Sequence, residues 1–154
     1  MPRRTSLVLD TNLFVLIAIG AVEGGRHIRN SDRLGKYSIQ DYEKAVSVLG
    51  TFDEAYITPY IAAELSNLID LTGYARTLAF SIIAELTATQ FKCISVDVSR
   101  DFQSPLIDIF GLADCSLISL AREHVIFTND HRLAAALYKY APQHTLAFHC
   151  ESWK

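Results

Sequence analysis

Apolar residues in this chain fall into short continuous runs that alternate with stretches of helical spacing. Ser6 to Leu9 is an apolar run closed by Asp10-Thr11-Asn12, the pattern of a buried strand that turns into a helix beginning near Leu13. Residues 22 to 37 (VEGGRHIRNSDRLGKY) lose all periodicity and gather Gly24, Gly25 and Gly35 with several basic residues, which predicts a loop. Ser38 to Thr51 regains helical spacing at Ile39, Tyr42, Val46 and Leu49, with Ser38 suited to the N-cap. A strand at Ala55 to Thr58 follows, and Pro59 then opens a helix with an apolar stripe at Ile61, Leu65, Leu68 and Ile69.

Beyond Gly73 a further helix is expected over Tyr74 to Thr89. Alternation at Ile94, Val96 and Val98 predicts a strand over Phe91 to Val98, and the segment SRDFQSP a loop ending at Pro105. A helix from about Ala113, a strand at Val125 to Thr128, a helix at Asp130 to Tyr140 and a strand at Thr145 to Phe148 complete the pattern. Strands alternating with helices indicate an α/β fold with a parallel sheet, because parallel neighbours need crossover connections that helices supply. Such sheets bind ligands at the carboxyl ends of their strands.

Composition narrows the class. A chain of 154 residues, half of them hydrophobic and a fifth charged, fits a single ordered domain over residues 1–154. Its formal charge of −3 gives no global attraction for nucleic acid, so any such contact must come from a local basic patch. Cys93, Cys115 and Cys150 are odd in number and lack metal-ligand spacing, so they are expected to be reduced core residues. The opening MPRRTSLVLDTN resembles an export signal only until Asp10 and Asn12 interrupt it, leaving the expectation of a cytoplasmic protein with no membrane partner. No GxSxG, GxxxxGK[ST] or GxGxxG pattern occurs, which removes the serine-hydrolase, P-loop and dinucleotide readings.

What remains is an acidic constellation. Asp10 follows the first strand and Asp130 follows the strand VIFT, so both belong at one edge of the sheet. Asp114 shares a helix face with Leu117, Ile118 and Ala121 and should point inward, whereas Glu64 borders the Ile61/Leu65/Leu68 stripe, an awkward place for an unpaired charge. Singly, the three aspartates also suit ordinary helix caps or first turns. Together they are costly to bury without a cation, since carboxylates repel one another and each loses hydration. Magnesium and manganese accept oxygen ligands and bind a few carboxylates together with substrate phosphates, which makes phosphodiester hydrolysis the natural reaction class. Arg26, Arg29, Arg33 and Lys36 in the polar segment, and Arg132 one turn beyond Asp130, are candidate contacts to phosphates.

Four segments in order, LVLDTN (7–12), TPYIAAELSNL (58–68), GLADCSLISLA (111–121) and IFTNDHRLA (126–134), resemble the PIN domains, a family that includes the VapC-type toxins of toxin–antitoxin pairs. The resemblance implies a three-layer α/β/α fold with a central, mainly parallel sheet and a magnesium- or manganese-dependent endoribonuclease. It implies metal-ligand roles for Asp10, Glu64, Asp114 and Asp130 and supporting polar roles for Thr11, Asn12, Thr128 and Asn129. RNA is then the substrate, with an antitoxin protein or a second copy of the chain as further partners. A non-catalytic binding module for RNA or protein, and a structure-specific DNA nuclease, are the alternatives. The apolar faces of the helices at 39–51 and 74–89 are expected to pack internally, a dimer or antitoxin groove being the other reading.

Overall fold

Strand β1 (Ser6–Leu9) is apolar at Leu7, Val8 and Leu9 because neither face of it meets solvent; all three are fully buried. A computed structural model describes residues 5–149, with β1 at the centre of a five-stranded, wholly parallel sheet of order β3-β2-β1-β4-β5. The other strands are β2 (Glu54–Ile57), β3 (Phe91–Cys93), β4 (Val125–Thr128) and β5 (Thr145–Ala147). Val8 stands opposite Tyr56 on one side and Ile126 on the other, so β1 locks the two halves of the sheet in register.

Seven α-helices among the described residues complete a three-layer α/β/α arrangement: α1 (Thr11–Gly20), α2 (Ile39–Leu49), α3 (Pro59–Leu68), α4 (Gly73–Thr89), α5 (Val98–Phe102), α6 (Ile107–Leu120) and α7 (His131–Tyr140). Helix α1 packs with α2, α3 and α4, while α6 packs with α5 and α7. Strand order proceeds outward from β1 through β2 to β3, then restarts on the other side with β4 and β5. Right-handed crossovers therefore put the connecting helices of the two halves on opposite faces, and a crevice opens between β1 and β4 at the carboxyl edge. None of the helices among the described residues is long and apolar enough to cross a membrane.

Several local expectations change. Helix α1 begins at Thr11, two residues before Leu13, because Asp10 itself is the N-cap. Helix α2 is rotated relative to its apolar stripe: Ile39 and Val46 are exposed, and Asp41 and Ala45 are buried. The cause is local, since Asp41 closes a capping box with Ser38 and small Ala45 admits close packing. Strand β3 stops at Cys93 instead of Val98, as Asp97 caps the short helix α5 over Val98–Phe102 in what read as a loop. Helix α6 starts at Ile107 instead of Ala113 and is broken at Gly111, whose φ of 80° glycine tolerates and other residues rarely do. Cys115 is a core residue, but Cys93 is exposed; Arg3, Arg4 and Cys150 lie outside the described residues. Helix α4 buries only Ala79 fully, with Leu78, Ile82, Ile83 and Leu86 packed partway against the core.

The α1–α2 packing depends on the absence of a side chain at Gly20, where an added Cβ would lie 2.6 Å from Tyr42 Cγ. Gly20→Ala should lower the unfolding free energy by about 1–3 kcal/mol through overpacking. Gly50→Ala, at a position with φ −64° and ordinary neighbour distances, should be neutral or stabilising. Urea denaturation of the two variants checks this, and equal effects would dismiss the packing argument.

Candidate functional site

The crevice at the switch between β1 and β4 is a cavity of about 310 Å³ lined by all four predicted acids, Asp10, Glu64, Asp114 and Asp130. Thr11, Asn12, Arg33, Phe110 and Gly111 share its wall. Each acid arrives from a different element, which is why separations of tens of residues in sequence collapse to one place.

Asp10 is the most buried of them, with 7% of its surface exposed. It continues β1 by donating its backbone N–H to the Phe127 carbonyl at 3.0 Å, so its position is fixed by the sheet. One carboxylate oxygen accepts the Thr11 N–H at 2.7 Å, and the other accepts the buried Thr128 hydroxyl at 2.6 Å. Burial pushes its pKa up; the hydrogen bonds from Thr128 and Thr11 oppose that shift, and the charges of Asp130 and Glu64 add to it.

Asp130 caps α7, one oxygen accepting the N–H groups of Arg132 and Leu133 at 2.9 and 3.1 Å. Its own N–H is donated to Thr128 Oγ1 at 3.0 Å, so a single hydroxyl ties Asp10 to Asp130 across the β1–β4 crevice. Asp114 sits past the Gly111 break with Leu117 and Ala121 buried along its helix, as the helical phase predicted. Its carboxylate makes no hydrogen bond or ion pair among the described residues. Burial raises its pKa to about 7, helped by repulsion from Asp10, Asp130 and Glu64 and opposed by Arg132.

Glu64 departs from its expected surroundings. It is exposed, so burial beside an apolar stripe does not explain it. It nonetheless faces the cavity and accepts the Thr11 hydroxyl at 3.0 Å. Of the supporting residues, Thr11 and Thr128 orient carboxylates and Asn12 lines the wall. Asn129 instead donates its amide to the Tyr37 hydroxyl, and its Oδ1 is buried without a partner among the described residues.

The basic candidates separate. Arg26 and Arg29 line a different hollow with Gly24 and Gly25, and Arg26 pairs with Glu23 at 3.4 Å. Lys36 lies over the Tyr37 ring. Arg132 lies 5.2 Å over the Phe110 ring, and of the polar segment only Arg33 lines the acidic cavity. That segment is no simple solvated loop: it holds two short 3-10 turns and buries Ile28, Leu34 and Tyr37. Phe110 precedes the helix start that spacing predicts near Ala113, so spacing does not point to it, and Gly111 is the signal beside it.

Among the described residues no three His, Cys, Asp or Glu side chains stand close enough together to form a ready-made ion cage. The four acids share a cavity wall without clasping a common point. The donor set, oxygens alone, is of the kind that hard cations such as magnesium and manganese accept. No known family model and no curated protein matches the chain.

The raised pKa of Asp114 has a defined consequence for stability. Its folded value of about 7 lies above the ordinary 3.8, so its contribution is fully present below the unfolded value and is lost as pH rises through about 7. In EDTA the thermal midpoint should therefore fall between about pH 5 and about pH 8, and Asp114→Asn should flatten that fall. Differential scanning calorimetry across this range checks it; an unchanged slope in the variant would remove Asp114 as the cause.

Proposed function

We propose that this chain is a divalent-metal-dependent endoribonuclease of the PIN-domain type, hydrolysing RNA phosphodiester bonds at the β1–β4 crevice. The observation that carries the reading is the convergence of Asp10, Glu64, Asp114 and Asp130 on one cavity at the switch point of a parallel sheet, with Asp10 buried and Asp114 making no hydrogen bond or ion pair among the described residues. Such a group is electrostatically unfavourable by itself, and a cation relieves it.

In this reading Asp10, Asp114 and Asp130 hold magnesium or manganese. The bound ion supplies water activation and neutralises charge developing on the phosphoryl oxygens. Thr128 holds Asp10 and the Asp130 backbone in fixed relation through its one hydroxyl, which limits reorganisation when charge moves in the site. The cap contacts of Asp130 occupy one of its oxygens and leave the other available. Glu64, exposed and held by Thr11, binds the ion or positions the attacking water.

Asp10→Asn should abolish cleavage of RNA in magnesium or manganese while the thermal midpoint without metal stays level or rises, because a buried charge is removed. Wild-type cleavage by this variant, with contaminating nucleases excluded, would refute the assignment. Parallel digestion of RNA, single-stranded DNA and branched DNA identifies the polymer. Binding of RNA without hydrolysis of any of them would leave the binding-module reading instead.

A further inference from the structure

Among the described residues Arg33 is the basic residue that lines the acidic cavity, while Arg132 acts on Asp114 from beside Phe110. The Arg33 guanidinium makes no hydrogen bond or ion pair with any of the four carboxylates among the described residues. An arginine mobile along its whole length would prove little, but the backbone of this one is held on both sides. Its N–H is donated to Asp70 Oδ2 at 3.1 Å, and the other oxygen of Asp70 accepts the Ser31 hydroxyl at 2.5 Å. Leu34, the next residue, is fully buried and donates its N–H to the Ser31 carbonyl at 3.1 Å. Asp70 is itself fixed, since its neighbours Ile69 and Leu71 are both buried.

Burial opposes ionisation of Asp70, but the hydrogen bonds from Ser31 and the Arg33 backbone, with the positive charge of Arg33, outweigh it and hold its pKa below the usual carboxylate value. The carboxylate is thus a constant anchor at neutral pH. It holds the backbone of Arg33, a residue of the cavity wall, and its charge also attracts the Arg33 side chain. The segment closes further along at Tyr37, which accepts the Asn129 amide beside Asp130.

Electrostatics gives this arrangement a use. One divalent ion neutralises only half the charge of four carboxylates, so an approaching phosphodiester still meets a negative site. A guanidinium on the same wall offsets that repulsion and offers paired N–H donors that match phosphate oxygens. We infer that Arg33 grips a phosphate of a single-stranded RNA at this cavity, and that Asp70, with Ser31, is the positioning residue that holds it there. The inference rests on the nuclease reading for its substrate.

The test uses the full chain, a fluorescein-labelled single-stranded RNA 12-mer (~12 nucleotides, of the order of one site) and calcium in place of magnesium, with affinity read by anisotropy over a salt series. Arg33→Gln should weaken binding about tenfold and reduce the slope of log affinity against log salt by about 0.7, the loss of one phosphate contact to a single strand. Its thermal midpoint should match wild type, and manganese should stabilise it at least as strongly, because a competing positive charge has gone. Asp70→Asn should weaken RNA binding severalfold with the salt slope retained and the manganese response unchanged. Wild-type affinity and slope in Arg33→Gln overturn the grip, as does a wild-type chain that fails to bind the RNA. Reduced stability with unaltered affinity in Asp70→Asn overturns the positioning role. A wild-type chain that shows the Arg33-dependent slope but hydrolyses no RNA in magnesium or manganese keeps the grip and dismisses the nuclease.

Discussion

A carboxylate at the end of a strand whose Leu7, Val8 and Leu9 are fully buried is the constraint around which the carboxyl edge of the sheet is organised. Asp10 continues β1 through its backbone bond to Phe127, caps α1 through its side chain and accepts the hydroxyl of Thr128. None of these links can shift alone. Moving Asp10 would displace α1, which is buried along nearly its whole length, and would break the registration of β1 with β4. The charge therefore stays where solvation is poor, and the other acids of the cavity are arranged around it. Such placement is costly to the fold and is tolerated where the site has a use for it.

Much of this edge was legible in the sequence because it rests on continuous apolar runs. SLVL and VIFT are strands with the bounds their composition gives, since both lie inside the sheet and need no polar face. The acids after them follow from connectivity, and helical phase alone gave the inward direction of Asp114. Less legible were features set by tertiary contacts. Alternation at Ile94 and Val96 imitates a strand, yet β3 is an edge strand that leaves the sheet after Cys93. The face of α2 was decided by a capping aspartate and by the ring of Tyr42 against Gly20, neither of which an apolar stripe records. Glu64 was legible as a site residue for a reason that does not hold, because the surface beside its stripe is open to solvent.

The bond network between Ser31, Arg33 and Asp70 was invisible for a different reason. Ser31 and Asp70 are 39 residues apart, and nothing in either neighbourhood marks them as partners. The polar segment looked featureless because its apolar residues, Ile28, Leu34 and Tyr37, are spaced without a helical or strand period. Their burial ties the segment to the body of the domain. A basic cluster that sequence treats as a unit is divided by that tethering: one arginine reaches the acidic cavity, and two line a hollow elsewhere.

The pairing of β1 with β4 also governs how the molecule comes into being. The hydroxyl of Thr128 meets Asp10 across a sequence separation of 118 residues, and Asp130 comes later still. During synthesis Asp10 leaves the ribosome well before Thr128, its partner across the sheet, because 117 residues lie between them. Helix α1, apolar on every side, must meanwhile be shielded by other contacts or by chaperones. A nascent or truncated chain lacking β4 holds the carboxylates of β1, α3 and α6 without the strand that joins them. The acidic cavity is thus completed late, and a chain interrupted in translation lacks its assembled form.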